Sequence, residues 1–346
     1  MAQEFHILKV LQWTAKPAFW ATEGIIRQVN SVASGCLLRE GMAVTDLLKT
    51  GQEEYKEMNE GSLFLSLRIG EQEWAASIHR VKEGDLVLLE STVAPELQAM
   101  ALAAMKLRQP LAALMSELDQ LLPELSDVNQ VGRINRRIHQ LLRLVGNMSA
   151  GAGGDSGNME LRELCGMLDE IFEKTASLAE KGNIALDWSV PNSRVYTVVD
   201  AQKLERAVYN MLSNALKATP SGGRIYAKVH QRGKLLLISI TDSGNGIAQE
   251  VRNFVYTRYL RTPGLEPEDQ GIGLGMGLIA SAARLHGGTV LLETLRDGGT
   301  RVTMTLTIHQ NQGSLRSRSL PVDYAGEQDH ALVELSDVLP SSVYEY

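Results

Sequence analysis

Only two cysteines occur in the 346 residues, Cys36 and Cys165, far apart and in no CxxC pair. That argues against a disulfide framework or a cysteine-built metal centre and leaves two idle or buried thiols of a reducing compartment as the expectation. A basic surplus is also missing. Thirty-four lysines and arginines stand against 41 aspartates and glutamates, a formal net charge of −7. Counterion release therefore gives no drive toward nucleic acid, and no nucleic-acid partner is expected. Nor does any apolar run approach the roughly 18 residues of a membrane span, and MAQEFHILKV has no signal-peptide pattern. The expectation is a cytoplasmic protein with no membrane segment. What is present, 44% apolar and 22% charged residues, is the composition of a folded chain of two or three domains.

The fold class read from the pattern is α+β and multidomain. Residues 1–90 form a small α/β unit: a strand at Gly24–Val29 followed by a helix, the half-buried alternating strand LFLSLRI, and the strands EWAASIHRV and DLVLLE around the turn signal Glu83-Gly84-Asp85. From 91 to 149 the period becomes helical. Leu97, Ala101, Ala104, Leu111, Met115, Leu118 and Leu122 fall on a four-three spacing, and past Pro123 so do Val131, Ile134, Ile138, Leu141, Leu142 and Val145. Two helices this apolar cannot cover each other, so a four-helix bundle with the hairpin of another chain is expected. Residues 150–158, AGAGGDSGN, read as a flexible linker. Residues 159–309 alternate helices (160–181, 202–218, 276–285) with the strands IALDWSV, RIYAKVH, LLLISITD, GTVLLET and TRVTMTLTI. Residues 310–346 are a polar tail with one amphipathic stretch, HALVELSDVL, open to two readings, a docking helix or a disordered end.

Three segments of 159–309 carry chemistry. In YNMLSNALKATP, Asn210, Asn214 and Lys217 are spaced four and three apart and share a helical face. Two amide oxygens and an ammonium suit a magnesium polyphosphate, since magnesium takes oxygen ligands and retains waters; a solvated polar face is the alternative. In TDSGNGI, Asp242 ends a strand before Gly244 and Gly246. Its carboxylate can accept from the exocyclic amine of adenine, whereas the carbonyl of guanine would leave it unpaired. In GIGLGMGLIASAARLHGG, the glycines 271, 273, 275 and 277 lead into a helix whose amides can meet phosphate. The polar stretch TPGLEPEDQ before them argues against a dinucleotide-binding turn, and the Gly-Lys-Ser/Thr of a Walker loop is absent.

In this order the segments resemble the ATP-binding domain of sensor histidine kinases, within the superfamily shared with gyrase, Hsp90 and MutL. NMLSNALK is similar to the N box, DSGNGI to the G1 box, the glycine run to the G2 box with its closing His286-Gly-Gly, and VYTRYLR to the F box. The resemblance implies an α/β sandwich with ATP in a Bergerat pocket. It makes Asn210 the Mg2+ ligand, places Asn214 and Lys217 at the phosphates, and has Asp242 read adenine with Gly244 and Gly246 beside it. Tyr256, Arg258 and Tyr259, together with Gly271, Gly273, Leu274 and Gly275, line the pocket, and residues 264–275 and the F box form its lid. KPAFWATEGIIRQVN resembles the opening of PAS sensor domains, with a plain spacer or dimerisation module as the alternative.

Upstream, AAMKLRQPLAALM keeps a proline in a helix interior, where it costs about 3 kcal/mol. Histidine kinases carry His-Glu-x-Arg-x-Pro-Leu in this place, and Arg108, Pro110 and Leu111 match. The phosphate-accepting histidine is replaced by Met105 and its acidic neighbour by Lys106. A thioether is a weak acceptor and a lysine is no base at neutral pH. The implied protein is a dimerising, Mg-ATP-binding kinase homologue that cannot phosphorylate itself at the usual site. It would pair with itself or with another histidine kinase, with a response regulator as a possible partner. Two alternatives stand beside it: an autokinase using His139, which otherwise reads as a surface histidine, or a non-catalytic module gated by ATP.

Overall fold

Glu23 and Gly24 have φ of +53° and +74°, the two left-handed positions that a primed two-residue hairpin turn requires. The turn folds β1 (Ala18–Thr22) onto β2 (Ile25–Val29), with Thr22 opposite Ile25. The sequence pattern shows β2 and not β1, because the first four residues of β1 are buried on both faces and never alternate. In this computed structural model, residues 16–91, 128–152, 158–246, 275–295, 298–309 and 329–345 are described, with the single positions 11, 14 and 107.

Three short helices, α1 (Ser31–Gly35), α2 (Val44–Leu47) and α3 (Gln52–Glu57), lead to the antiparallel strands β3 (Gly61–Ile69), β4 (Gln72–Val81) and β5 (Gly84–Ser91). Their spatial order is β2-β1-β5-β4-β3. A buried polar clamp ties α3 to this sheet. Arg80 donates to both oxygens of Asp85, at 2.7 and 2.8 Å, and to the carbonyls of Tyr55 and Met58. The Tyr55 hydroxyl donates to Asp85 at 2.6 Å.

The C-terminal part begins with β6 (Glu160–Glu163) and α5 (Leu164–Glu180). The expected helix over 160–181 is thus four residues shorter at its start: Glu163 caps α5, accepting from the amides of Cys165 and Gly166, so the preceding residues are free to pair as a strand. Then come β7 (Ala185–Ser189), β8 (Tyr196–Val199), α6 (Ala201–Ala218), β9 (Arg224–Arg232) and β10 (Leu235–Asp242). After them lie α7 (Gly275–Leu285), β11 (Val290–Thr294) and β12 (Thr300–Thr307). β9 and β10 alternate cleanly, turning Ile225, Ala227, Val229, Leu236, Ile238 and Ile240 into the core that the helices cover.

β3 pairs antiparallel with β11, placing Phe64 opposite Val290, so one sheet runs β2-β1-β5-β4-β3-β11-β12-β10-β9-β7. This accounts for a departure from the sequence reading. β3 was expected to be half-buried, yet it is buried from Gly61 to Leu67. Leu63, Leu65 and Leu67 join the N-terminal core, and Phe64 joins the core of the C-terminal part.

A 25-residue helix, α4 (Val128–Ala152), precedes that part. Its inner stripe, Val131, Asn135, His139, Leu142 and Gly146, is buried, whereas Ile134 and Ile138 are half-buried and Leu141 is 45% exposed. The tail covers the inner stripe with α8 (His330–Glu334) and a 3-10 turn (Ser341–Tyr344), whose Ala331, Leu335, Leu339, Val343 and Tyr344 enter the C-terminal core. Of the two readings of HALVELSDVL, docking is the one observed. His139 is not on the surface: it is 3% exposed, Nδ1 bonds to the Asn135 carbonyl at 2.8 Å, and the Tyr344 ring lies 5.1 Å away. The expected first helix of the hairpin, with Met105 and Lys106, falls outside the described residues. Among the described residues no helix is long and apolar enough to cross a membrane.

Candidate functional site

α6 is the spine of the site. Asp200 caps it by accepting from the Lys203 amide at 3.0 Å, and the Asp200 amide donates to His286 Nε2 at 2.9 Å. His286 Nδ1 in turn bonds the Ala282 carbonyl at 2.7 Å, which fixes the ring in the neutral Nδ1–H form, and burial pushes its pKa down. The histidine of the glycine-rich segment therefore links α7 to the start of α6. Sequence spacing alone does not show this contact.

Asn210, Asn214 and Lys217 lie on one face of α6, as their spacing predicts. Asn210 is 1% exposed and donates from Nδ2 to the Arg206 carbonyl at 2.8 Å, so its amide oxygen is the end turned outward from the helix. That oxygen meets the N-terminus of α7, where a Cβ added to Gly275 would sit 3.1 Å from it. Asn214 donates to the Met276 sulfur at 3.5 Å. The structure thus brings Asn210, Asn214 and Gly275 together, and α7 presents its first turn to them.

Asp242 stands beside the last turn of α6. Its Oδ1 accepts from the amides of Gly244 at 2.9 Å and Thr300 at 3.1 Å, which sets the plane of the carboxylate and leaves Oδ2 outside those bonds. Burial raises the pKa of this carboxyl, and the two amides act against that. A Cβ on Gly244 would come within 2.3 Å of the Ala218 carbonyl, so only glycine lets this turn pack against the end of α6. Gly246 follows with φ +72°. From Asn210 to Ala218 the helix rises about 12 Å, so an extended ligand of that length can touch both ends. Tyr256, Arg258, Tyr259, Gly271, Gly273 and Leu274 fall outside the described residues.

Around Asn210 and Lys217 stand side chains that the sequence reading did not single out. Arg143 of α4 reaches Asn210 Oδ1 at 3.4 Å and Ser213 Oγ at 3.1 Å. Arg206 donates to Glu334 at 2.9 Å and to Asn147 at 2.7 Å. Asp337 pairs with Arg143 and accepts from Lys217 at 3.1 Å. A signal was available: Asn135, His139, Arg143 and Asn147 recur every four residues along the helix, on the same side as Val131 and Leu142.

Residues 199–310 match the sequence family described as histidine kinase-, DNA gyrase B- and HSP90-like ATPases. The matched residues include α6, Asp242 and α7, the elements that build the site. Among similar proteins, histidine kinase P4 of Formosa agariphila is 27% identical over 246 residues, 67% of this chain and 18% of that protein. Histidine protein kinase DivJ of Caulobacter vibrioides is 32% identical over 130 residues, 38% of this chain and 22% of that protein. A solved mycobacterial sensor histidine kinase, MprB, aligns with a TM-score of 0.37 and 26% identity over 43% of this chain and 97% of that one. The chain spans only 14% to 22% of the length of the first curated relatives it matches.

Proposed function

We propose that the chain is a sensor histidine kinase homologue of the two-component type that binds Mg-ATP in its ATPase domain and cannot phosphorylate itself at the usual position. The observation that carries this reading is the pairing of groups along α6. Asn210 and Lys217 offer an amide oxygen and an ammonium along the helix, and Asp242 offers a carboxylate braced by two amides beside its last turn.

The residues fit the ligand. Asp242 Oδ2 accepts from the exocyclic amine of adenine, Lys217 meets phosphate oxygens with Asn214 beside it, and the first turn of α7 at Gly275 favours negative charge. Asn210 suits magnesium because its nitrogen is committed to the Arg206 carbonyl, so its oxygen, which Arg143 reaches at 3.4 Å, is the atom turned to a cation. Magnesium, when bound, neutralises charge on the phosphates. Tyr256, Arg258, Tyr259, Gly271, Gly273 and Leu274 complete the pocket in this proposal.

Met105 and Lys106 supply neither nucleophile nor base, so the γ-phosphoryl group would pass to a histidine of another kinase in a heterodimer, or the chain would regulate its partner. The half-buried Ile134 and Ile138 and the exposed Leu141 of α4 support a dimerising helix. The antiparallel sheet with three short helices between β2 and β3 supports a PAS-like sensor in residues 1–90. A cytoplasmic place and a response regulator partner belong to the same proposal. His139 is disfavoured as a substitute acceptor, since it lies beneath Tyr344 with its Nδ1 engaged.

Incubation with radiolabelled ATP tests the proposal. The expected result is nucleotide binding with no acid-labile label on this chain alone, and label appearing on a kinase partner when one is mixed in. Acid-labile label on the isolated chain would overturn the claim that its own acceptor has lapsed.

A further inference from the structure

The end of the site assigned to metal and phosphate is held by the chain's own tail. Asp337 Oδ2 accepts from Lys217 Nζ at 3.1 Å and pairs with Arg143, and Arg143 carries its other terminal nitrogen to Asn210 Oδ1 at 3.4 Å and Ser213 Oγ at 3.1 Å. Glu334, fully buried, accepts from Arg206 at 2.9 Å and faces Arg143 Nε at 3.5 Å. Two tail carboxylates thus meet three cations. The segment is seated firmly: Arg136 donates to the carbonyls of Ser336 and Asp337 at 2.9 and 3.0 Å, and Asn135 donates to the Tyr344 carbonyl at 3.1 Å.

These contacts compete with a nucleotide in kind. A carboxylate and a phosphate oxygen make the same demand on an ammonium. A guanidinium and a magnesium ion make the same demand on an amide oxygen, and magnesium needs that oxygen at about 2.1 Å. Asn210 Oδ1 facing Arg143 cannot serve a second cation without bringing two positive charges together. A tail serving only as packing would hold better with apolar side chains, since a buried ion network is seldom the most stable choice.

We propose that residues 329–345 are a built-in competitor of the nucleotide: Asp337 occupies Lys217 and holds Arg143 on Asn210, so the docked tail and Mg-ATP exclude each other. The inference rests on the reading of Asn210 and Lys217 as metal and phosphate contacts. Competition of this kind is reciprocal: whatever loosens the tail tightens the nucleotide, and the nucleotide loosens the tail by the same factor.

Two measurements on the full chain test it. Mg-ATP is titrated calorimetrically into the wild type and into Asp337→Asn, which keeps the side-chain shape and the Arg136 contacts to backbone. The variant is expected to bind at least about fivefold more tightly. Hydrogen exchange of residues 329–345 in the wild type is then followed with and without saturating Mg-ATP, and is expected to speed up when nucleotide is present. Equal or weaker binding by Asp337→Asn, with the wild type still binding, overturns the competition and leaves the site reading standing. So does exchange in the tail that is unchanged or slowed by nucleotide, a result independent of how the variant folds. Failure of both proteins to bind any Mg-ATP sinks the site reading and the competition with it.

Discussion

The two halves of the site are built by different means. At Asp242 the parts are local: a strand end, the amides of Gly244 and Thr300, and a glycine lying against the last turn of the helix. At Asn210 and Lys217 the parts arrive from far along the chain, with Arg143 from α4 and Asp337 from the tail. A carboxylate braced by backbone cannot swing away without breaking the sheet, so that end suits recognition of one base. Ion pairs carried on separate segments can be exchanged for other charges, so that end suits control. On the proposed function, specificity and regulation therefore sit in separate parts of one site.

The widest way to break this contrast is at Glu334. Its carboxylate is fully buried between Arg206 and Arg143, and removing one member of a buried ion network leaves uncompensated charge, at a cost of about 3–5 kcal/mol. Glu334→Ala is expected to lower the unfolding free energy in urea by that amount. A loss below about 1 kcal/mol would mean that these ions behave as a solvated surface cluster, and the two ends would then be alike.

A smaller effect is expected at the other end. Asp242→Asn keeps an oxygen for the Gly244 and Thr300 amides but removes the charge and one acceptor. ATP affinity should fall by about 1–3 kcal/mol, and the preference for ATP over GTP should narrow with it. Titration of both nucleotides reads this directly. An unchanged preference would remove Asp242 from base recognition, whatever happens to affinity.

How far each end was legible in the sequence follows from the same difference. Asp242 with its glycines, and the four-three row Asn210, Asn214 and Lys217, are short-range patterns, so their helix and strand could be placed from spacing alone. The pairing of β3 with β11 is different: Leu63 and Leu65 alternate as any half-buried strand does, and nothing local says that Phe64 will enter a second core. The ions around Glu334 were equally hidden, because partners 128 and 191 residues away, Arg206 and Arg143, are joined only by folding. His139 misled for the same reason. Beside two arginines and a glutamine it reads as a surface residue, and only Tyr344, 205 positions on, buries it. The four-residue row Asn135, His139, Arg143 and Asn147 was the one local hint that this face of α4 looks inward at something polar.

The smallest effect separates what anchors α6 from what covers it. His286 holds the start of the helix through the Asp200 amide while its Nδ1–H is committed to the Ala282 carbonyl, and burial keeps the ring neutral. The Ala282 carbonyl and Asp200 favour the charged ring, but burial, joined by Lys203 and His309, outweighs them. An unfolded histidine takes up its proton near pH 6.5. Below that pH the unfolded chain binds a proton that the folded chain refuses, so stability is full above about 6.5 and falls as the medium is acidified, levelling off only below the depressed folded value. The slope from this one group is at most about 1.4 kcal/mol per pH unit. His286→Gln cannot titrate, so the stability gap between wild type and variant should shrink steadily from pH 7.5 to 5, as measured by urea unfolding at each pH. A gap independent of pH would show that His286 titrates in the folded chain as it does in the unfolded one, and the anchor of α6 would have to be sought elsewhere.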